Sequence, residues 1–496
     1  MSGDVTLCLV SHTNAGKTTL ARTLLGRDVG EVRDAPHVTT ESTAYPLLAT
    51  ADGERLLLWD TPGFGDSARL AKRLGQERNP IVWFLAQAWD RFRDRPFWLT
   101  QQALRTVREH TDVVLYLVNA AEDPRDAGYL PPELAVLAWM DKPVLVLLNQ
   151  AGRPRPEDAP DDDLARWQAA VAGHAHVRGV LAFDAFARCW VQEFVLFGAI
   201  APLVPPRSAG AYGRLVAAWR AQRLAQFDAA MTALAQPVAA ATCARVALPP
   251  TKMLRKLGTA LGVGGDETRA NEARALRELS ERAAADVRAA MDALIAIHGL
   301  SGKAVAEVEA RVGQDLARDG PVDEGKAAAV GGVLSGAVTG LAADLAAGGL
   351  TFGAGMLTGA LLGALGGAGV ARAVNVARGQ ADDALRWDDA FLERLVVASL
   401  LRYLAVAHYG RGRGEFFEGE YPPHWRPRVE DAVAARRDAF AAIFARRGPG
   451  CDPESAAHDL APLLRESAVA VLAELYPSAV AAAQLGSDPG PVSDTS

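Results

Sequence analysis

Gly16, Lys17 and Thr18, in the stretch VSHTNAGKTTL (10–20), and Asp60, closing RLLLWD (55–60), are the residues whose types and order could do chemistry. A glycine lets the backbone approach an anion closely, and the ammonium beside it reaches the outer phosphates. The next hydroxyl holds Mg²⁺, while main-chain N–H groups at a helix N-terminus face the charge. Asp60, followed by Thr61-Pro62-Gly63, supplies the other half: its carboxylate meets the same ion through water, and the Gly63 N–H touches the terminal phosphate. The residues predict a site for a nucleoside triphosphate, lined by His12, Thr13, Asn14, Ala15, Gly16, Lys17, Thr18 and Thr19. Ser11 stands where such a loop opens with glycine, and fits if its φ stays negative or the backbone there accepts modest strain.

These groups need strands that end beside one another. VTLCLV (5–10), RLLLWD (55–60), VVLYLV (113–118), PVLVLLN (143–149) and VRGVLAF (177–183) alternate with helical patterns, the signature of a mostly parallel sheet flanked by helices. The expected fold class is therefore α/β, followed by a largely α-helical C-terminal region with a Gly/Ala-rich helical hairpin. The Pro-rich APLVPPRSAG (201–210) reads as a linker, and everything beyond it as helical. In 270–297, Leu276, Leu279, Ala283, Val287, Met291, Leu294 and Ile295 recur at helical spacing. The boundaries expected are 1–205 for the nucleotide domain, with an aromatic-rich insertion near 68–110, and 206–322 for a helical region. The hairpin takes 323–380, a second helical region 381–480, and a disordered tail 481–496.

With TNAGKTTL and DTPGFGD in order, residues 1 to about 190 resemble the P-loop GTPases of the Era, TrmE, EngA and septin-like group. The whole chain looks like bacterial GTPases that carry a C-terminal domain of unknown function. The resemblance implies GTP hydrolysis as a molecular switch with Mg²⁺ held by Thr18, Thr40 and Asp60. Thr40 is the switch I threonine, with Thr39 second. It implies a K⁺ ion at Asn14, so that Lys17, Thr40, Gly63 and Asn14 carry catalysis. Phe64 takes the place of a water-orienting glutamine, which implies slow intrinsic turnover. Base recognition falls to Asn149, Gln150 and Ala185. Gly152 replaces the aspartate that reads guanine, so ATP stays open beside GTP. A nucleotide-holding scaffold with little turnover is the alternative function.

Composition narrows the partners. The 496 residues carry 52 basic and 59 acidic side chains, a net charge of −7 that disfavours nucleic acid. Cys8, Cys189, Cys243 and Cys451 are widely spaced and read as buried thiols of a reducing compartment. The N-terminus lacks a basic n-region, and the expected location is cytoplasmic, peripheral or hairpin-inserted at the inner membrane. Gly332, Gly336 and Gly340, then Gly355, Gly359, Gly363 and Gly367, share helix faces as in a glycine zipper. Three readings of 327–371 stay open: a membrane-inserting hairpin, a hairpin buried in the helical region, and self-association without a bilayer. The partners expected are GTP or GDP, a membrane surface or membrane protein, and a second copy through the nucleotide domain or the hairpin. The aromatic insertion is read as a helix packed on the domain or as a partner-binding extension.

Overall fold

VTLCLVS, VVLYLVN and VLVLLN are near-continuous apolar runs, and strands of that kind are stable only where both faces of a sheet are covered. In a computed structural model of the chain they are the buried centre of a six-stranded sheet. The structure describes residues 4–12, 15–25, 43–61, 64, 66–75, 94–149, 162–183, 189–248, 266–299, 384–408 and 424–485. Two compact units are formed: Met1–Leu224 with Ala407–Phe416 and Leu472–Ser496, and Ala225–Val406 with Phe417–Val471.

The first unit begins with β1 (Val5–Ser11), α1 (Lys17–Leu25), β2 (Thr43–Ala49), β3 (Arg55–Asp60) and α2 (Ser67–Gly75). It continues with α3 (Arg95–His110), β4 (Val113–Asn119), α4 (Leu130–Met140), β5 (Val144–Asn149), α5 (Asp162–Val171), β6 (Val177–Ala182) and α6 (Gln192–Ile200). The sheet order is β2-β3-β1-β4-β5-β6, parallel throughout except for β2. All five expected strands form. β2 is the one the sequence reading missed. Its TAYPLLA carries Pro46, which cannot donate to a ladder, and the strand is accordingly an edge with a register shift between Pro46 and Leu48. Helices cover both faces, and Leu70, Leu104, Leu137, Val146 and Trp167 share one core with Tyr116 and Phe64.

A further helix, α7 (Pro206–Cys243), starts inside the stretch read as a linker. Ala201–Leu203 is a single 3₁₀ turn, and Pro206 opens the helix because a first-turn residue needs no amide hydrogen. Downstream come β7 (Val246–Ala247), α8 (Asp266–Ile297), β8 (Ala384–Leu385) and α9 (Asp389–Ala407). Then follow α10 (Trp425–Ala434), α11 (Arg437–Phe444), α12 (Pro453–Leu475) and α13 (Pro477–Ala483). The helical expectation holds for this half, with the correction that β7 and β8 pair antiparallel. Strands of two residues are too short to show a period. In α8 the expected stripe is buried at Leu279, Ala283, Val287, Met291, Leu294 and Ile295, whereas Leu276 is half-buried and Ala275, Ser280, Ala284 and Ala290 are buried as well.

The cysteines divide in a way their spacing hides. Cys8 and Cys189 are buried thiols, whereas Cys243 and Cys451 form a disulfide with Cα atoms 5.3 Å apart. Among the described residues no helix is long and apolar enough to cross a membrane. The Gly/Ala segment 327–371 and residues 486–496 of the expected tail lie outside the described residues, as do Trp83, Phe84, Trp89 and Phe92 of the insertion. The tail's first residues are ordered instead, since α13 runs to Ala483 and Leu485 is buried. Phe97, from the same insertion, is buried in the core, and Asp94 caps α3 by accepting from the Phe97 amide.

Candidate nucleotide site

The strand ends Ser11, Asp60, Asn119, Asn149 and Ala182 lie along one edge of the sheet. On open parallel sheets this carboxyl edge is where ligands bind. β1 hands over to α1 through a turn whose described residues are His12, Ala15 and Gly16. Gly16 has φ 88°, a left-handed conformation that a side chain would strain. Its carbonyl accepts the first helical bond, from Leu20 N at 2.9 Å.

Lys17 is buried at the start of α1, and its Nζ donates to Ser11 Oγ at 2.8 Å. The Ser11 hydroxyl in turn donates to the His12 carbonyl. The residue in the usual glycine position thus supplies an acceptor to the ammonium. Thr18 Oγ1 donates to Asp60 Oδ2 at 2.9 Å, so hydroxyl and carboxylate converge from α1 and β3. Asp60 Oδ1 is buried and has no hydrogen-bond partner. A hydroxyl beside an orphaned carboxylate oxygen is the hard-oxygen set that suits Mg²⁺.

The electrostatics follow from burial. Desolvation pushes the Asp60 carboxyl above its ordinary range, opposed by Lys17 and by the Thr18 bond. Desolvation likewise lowers Lys17, with Asp60 and Glu133 pulling it back up. Beneath the site the Cys8 thiol is pushed far up, by burial first and by Asp60 second. It is therefore an inert thiol.

On the far side, Asn149 Nδ2 donates to the Ala15 carbonyl at 2.8 Å, tying the end of β5 to the phosphate turn. The Phe64 amide donates to the Ser11 carbonyl at 3.1 Å, while its ring is buried and faces Tyr116 at 6.2 Å between centroids. Lys17, Thr18, Asp60, Asn149, His12, Ala15 and Gly16 are therefore brought to one place. Thr19 is buried within α1. Thr13, Asn14, Thr40, Gly63, Gln150 and Ala185 lie outside the described residues.

Sequence reading did not find Glu133. It is fully buried in the first turn of α4, with Oε1 2.7 Å from His12 Nδ1 and Oε2 accepting from Tyr116 OH at 2.7 Å. Burial raises its carboxyl, and the bonds from His12 and Tyr116 oppose that. A lone acid in the apolar run LPPELAVLAWM was the available signal. Among the described residues no group of three or more His, Cys, Asp or Glu side chains is placed to hold a metal ion alone.

Residues 6–150 match the model of the 50S ribosome-binding GTPase family, and 172–451 match that of a domain of unknown function (DUF3482). GTPase Der of Mycobacterium leprae (strain TN) is 34% identical over 82 residues, covering 16% of this chain and 17% of that protein. GTPase Der of Mycobacterium tuberculosis (strain ATCC 25177 / H37Ra) aligns with the same identity and coverage. The chain thus spans only 17% of the length of the curated relatives it matches. Among solved structures, Aquifex aeolicus Era bound to GDP.AlF4- is similar at 18% identity and TM-score 0.30, over 41% of this chain and 58% of that one. Era in complex with MgGDPNP and a 16S ribosomal RNA segment is similar at 17% identity and TM-score 0.30, with the same coverage. The N-terminal residues are a P-loop GTPase domain.

Proposed function

Because the chain belongs to the family defined by the domain of unknown function DUF3482 and carries a P-loop GTPase domain, we propose that it is a GTP-hydrolysing switch. Its helical C-terminal half would respond to the bound nucleotide. The observation that carries the reading is Thr18 bonded to Asp60, whose other carboxylate oxygen is buried without a partner, with the buried Lys17 ammonium near enough to act on its charge. Thr18 and Asp60 would hold Mg²⁺ there, and the ion would neutralise charge on the outer phosphates. Lys17 binds those phosphates, and the amides of the turn fix their position. Hydrolysis proceeds by in-line attack of water on the terminal phosphate. Thr40 and Gly63 would sense that phosphate, and a K⁺ ion held by Asn14 would supply further positive charge.

The base is guanine in this reading, held by Asn149, Gln150 and Ala185, with ATP as the competitor to exclude. The switch works at a membrane surface, on a membrane protein or with a second copy of itself, rather than on nucleic acid. A nucleotide-holding scaffold is the second reading. It is favoured by Phe64, whose ring is packed in the core and cannot orient water.

Lys17→Ala is expected to abolish triphosphate binding by the full chain, and retained micromolar affinity overturns the assignment. Turnover is compared in K⁺ and Na⁺, with lipid and at high protein concentration. A rate that stays negligible in every condition supports the scaffold. Flotation with liposomes in GTP, GDP, ATP or no nucleotide reads base preference and membrane coupling together.

A further inference from the structure

A buried carboxylate is costly, because removing it from water forfeits several kcal/mol that only well-made bonds return. Glu133 is such a group: its side chain is 0% exposed, and both oxygens are engaged within the nucleotide domain. Its position in the first turn of α4 places the negative charge at the favourable end of the helix dipole. One oxygen is anchored by Tyr116 of β4, a strand buried at the centre of the sheet. The other is bonded to His12, the first residue beyond β1 and a member of the phosphate turn.

His12 is held on its face as well as its edge. Its ring stacks on Tyr129 with centroids 4.1 Å apart and planes inclined by 13°, and Tyr129 OH donates to Glu122 at 2.6 Å. From His12 the bonding continues inward. The His12 carbonyl accepts the Ser11 hydroxyl, and Ser11 Oγ accepts Lys17 Nζ at 2.8 Å. Two sets of hydrogen bonds joined by the covalent frame of His12 therefore connect Glu133, at the imidazole, with the Ser11 hydroxyl and the Lys17 ammonium, at the His12 carbonyl.

We infer that Glu133 is a positioning residue for the phosphate turn, acting through His12 to set the place of the turn and of Lys17 before nucleotide arrives. The inference rests on the GTPase reading. It adds a residue that neither the phosphate motif nor the Mg²⁺ motif contains. Glu133 is fully buried with both oxygens bonded inside the domain, so its effect is on affinity rather than on the chemical step.

The test uses the full chain and a fluorescent GTP analogue, with multiple-turnover hydrolysis alongside. Glu133→Gln and His12→Phe are each expected to weaken binding about tenfold and to raise KM likewise, with kcat within about twofold of the parent. His12→Phe keeps the stack on Tyr129 and removes only the edge bond. The double variant is expected to bind no worse than either single one, because both break the same link. Tyr116→Phe strips the other bond from the same carboxylate without touching the turn. It is expected to lower the melting temperature while leaving affinity within about twofold.

Unchanged affinity in Glu133→Gln overturns the inference, and so does a double variant whose losses multiply in full. Equal loss of affinity in Tyr116→Phe reduces Glu133 to a structural role and also overturns it. Should Glu133→Gln fail to fold, His12→Phe against Tyr116→Phe decides by the same comparison. A parent protein that binds no nucleotide at all sinks the GTPase reading itself, a result distinct from any pattern among the variants.

Discussion

Ser11 shows how a residue can depart from a motif and still serve it. In the sequence it is a missing glycine, and its tolerance is all that can be argued. In the fold its hydroxyl accepts from Lys17 and donates to the His12 carbonyl, so the buried ammonium has a partner inside the protein. Ser11→Ala removes that partner, and a buried donor left unsatisfied costs about 1–3 kcal/mol. The loss is expected in the nucleotide-free protein and smaller with GDP present, where phosphate takes over the ammonium. Melting curves with and without GDP measure both. Asp60 gives a second prediction at this scale. Its carboxyl is raised by burial above the unfolded chain's value, so the folded state holds the proton more tightly in the window just above the ordinary carboxylate range. Through this group, stability falls as pH rises across that window, whereas Mg²⁺ affinity rises because the ion needs the charged form. Opposite slopes of melting temperature and of Mg²⁺-dependent nucleotide binding check the sign. Lys17, Thr18 and Asp60 were legible because each is a chemical type at a fixed offset from a strand. Glu133 was not, since its partners His12 and Tyr116 are brought to it only by the packing of α4 on the sheet.

At the scale of elements, legibility tracked how continuous the apolar pattern is. β1, β4 and β5 are buried on both faces and read directly as runs, while β2 was lost to its proline and edge position. The start of α7 was lost because prolines signal a break before they signal a helical first turn. Two acids tie this helix to the nucleotide domain in different surroundings. Glu193 of α6 is buried and accepts from Trp219 Nε1 at 2.7 Å and from Arg223 Nε at 3.0 Å. Glu54, in the turn between β2 and β3, accepts from the exposed Arg214 at 3.0 Å. Breaking a buried pair from one side leaves an uncompensated charge, and Glu193→Ala is expected to cost about 3–5 kcal/mol. Glu54→Ala removes a pair that solvent already screens, and its unfolding midpoint is expected to stay close to the parent's. Urea titrations of the two variants side by side make the comparison.

The whole molecule carries one covalent constraint that no local pattern announces. Cys243 ends α7 and Cys451 precedes α12, and they are bonded across 208 positions of sequence. Neither has a neighbouring cysteine, which is why the sequence reading left all four as thiols. Only the packing of the second unit brings this pair together, while Cys8 and Cys189 stay buried and apart. A cross-link over so long a loop removes much freedom from the unfolded chain, and the chain-entropy model puts its contribution at about 5 kcal/mol. The bond lies outside the nucleotide site, so reduction should act on stability and leave nucleotide affinity alone. A reductant such as a phosphine is therefore expected to lower the melting temperature of the parent protein. Cys451→Ser should melt at that lowered temperature from the outset and show no further response to reductant. Two free thiols should titrate in the unreduced, denatured parent and four after reduction. Nucleotide titrations in both redox states complete the comparison: a loss of affinity on reduction would mean that the bond reaches the site, against this expectation.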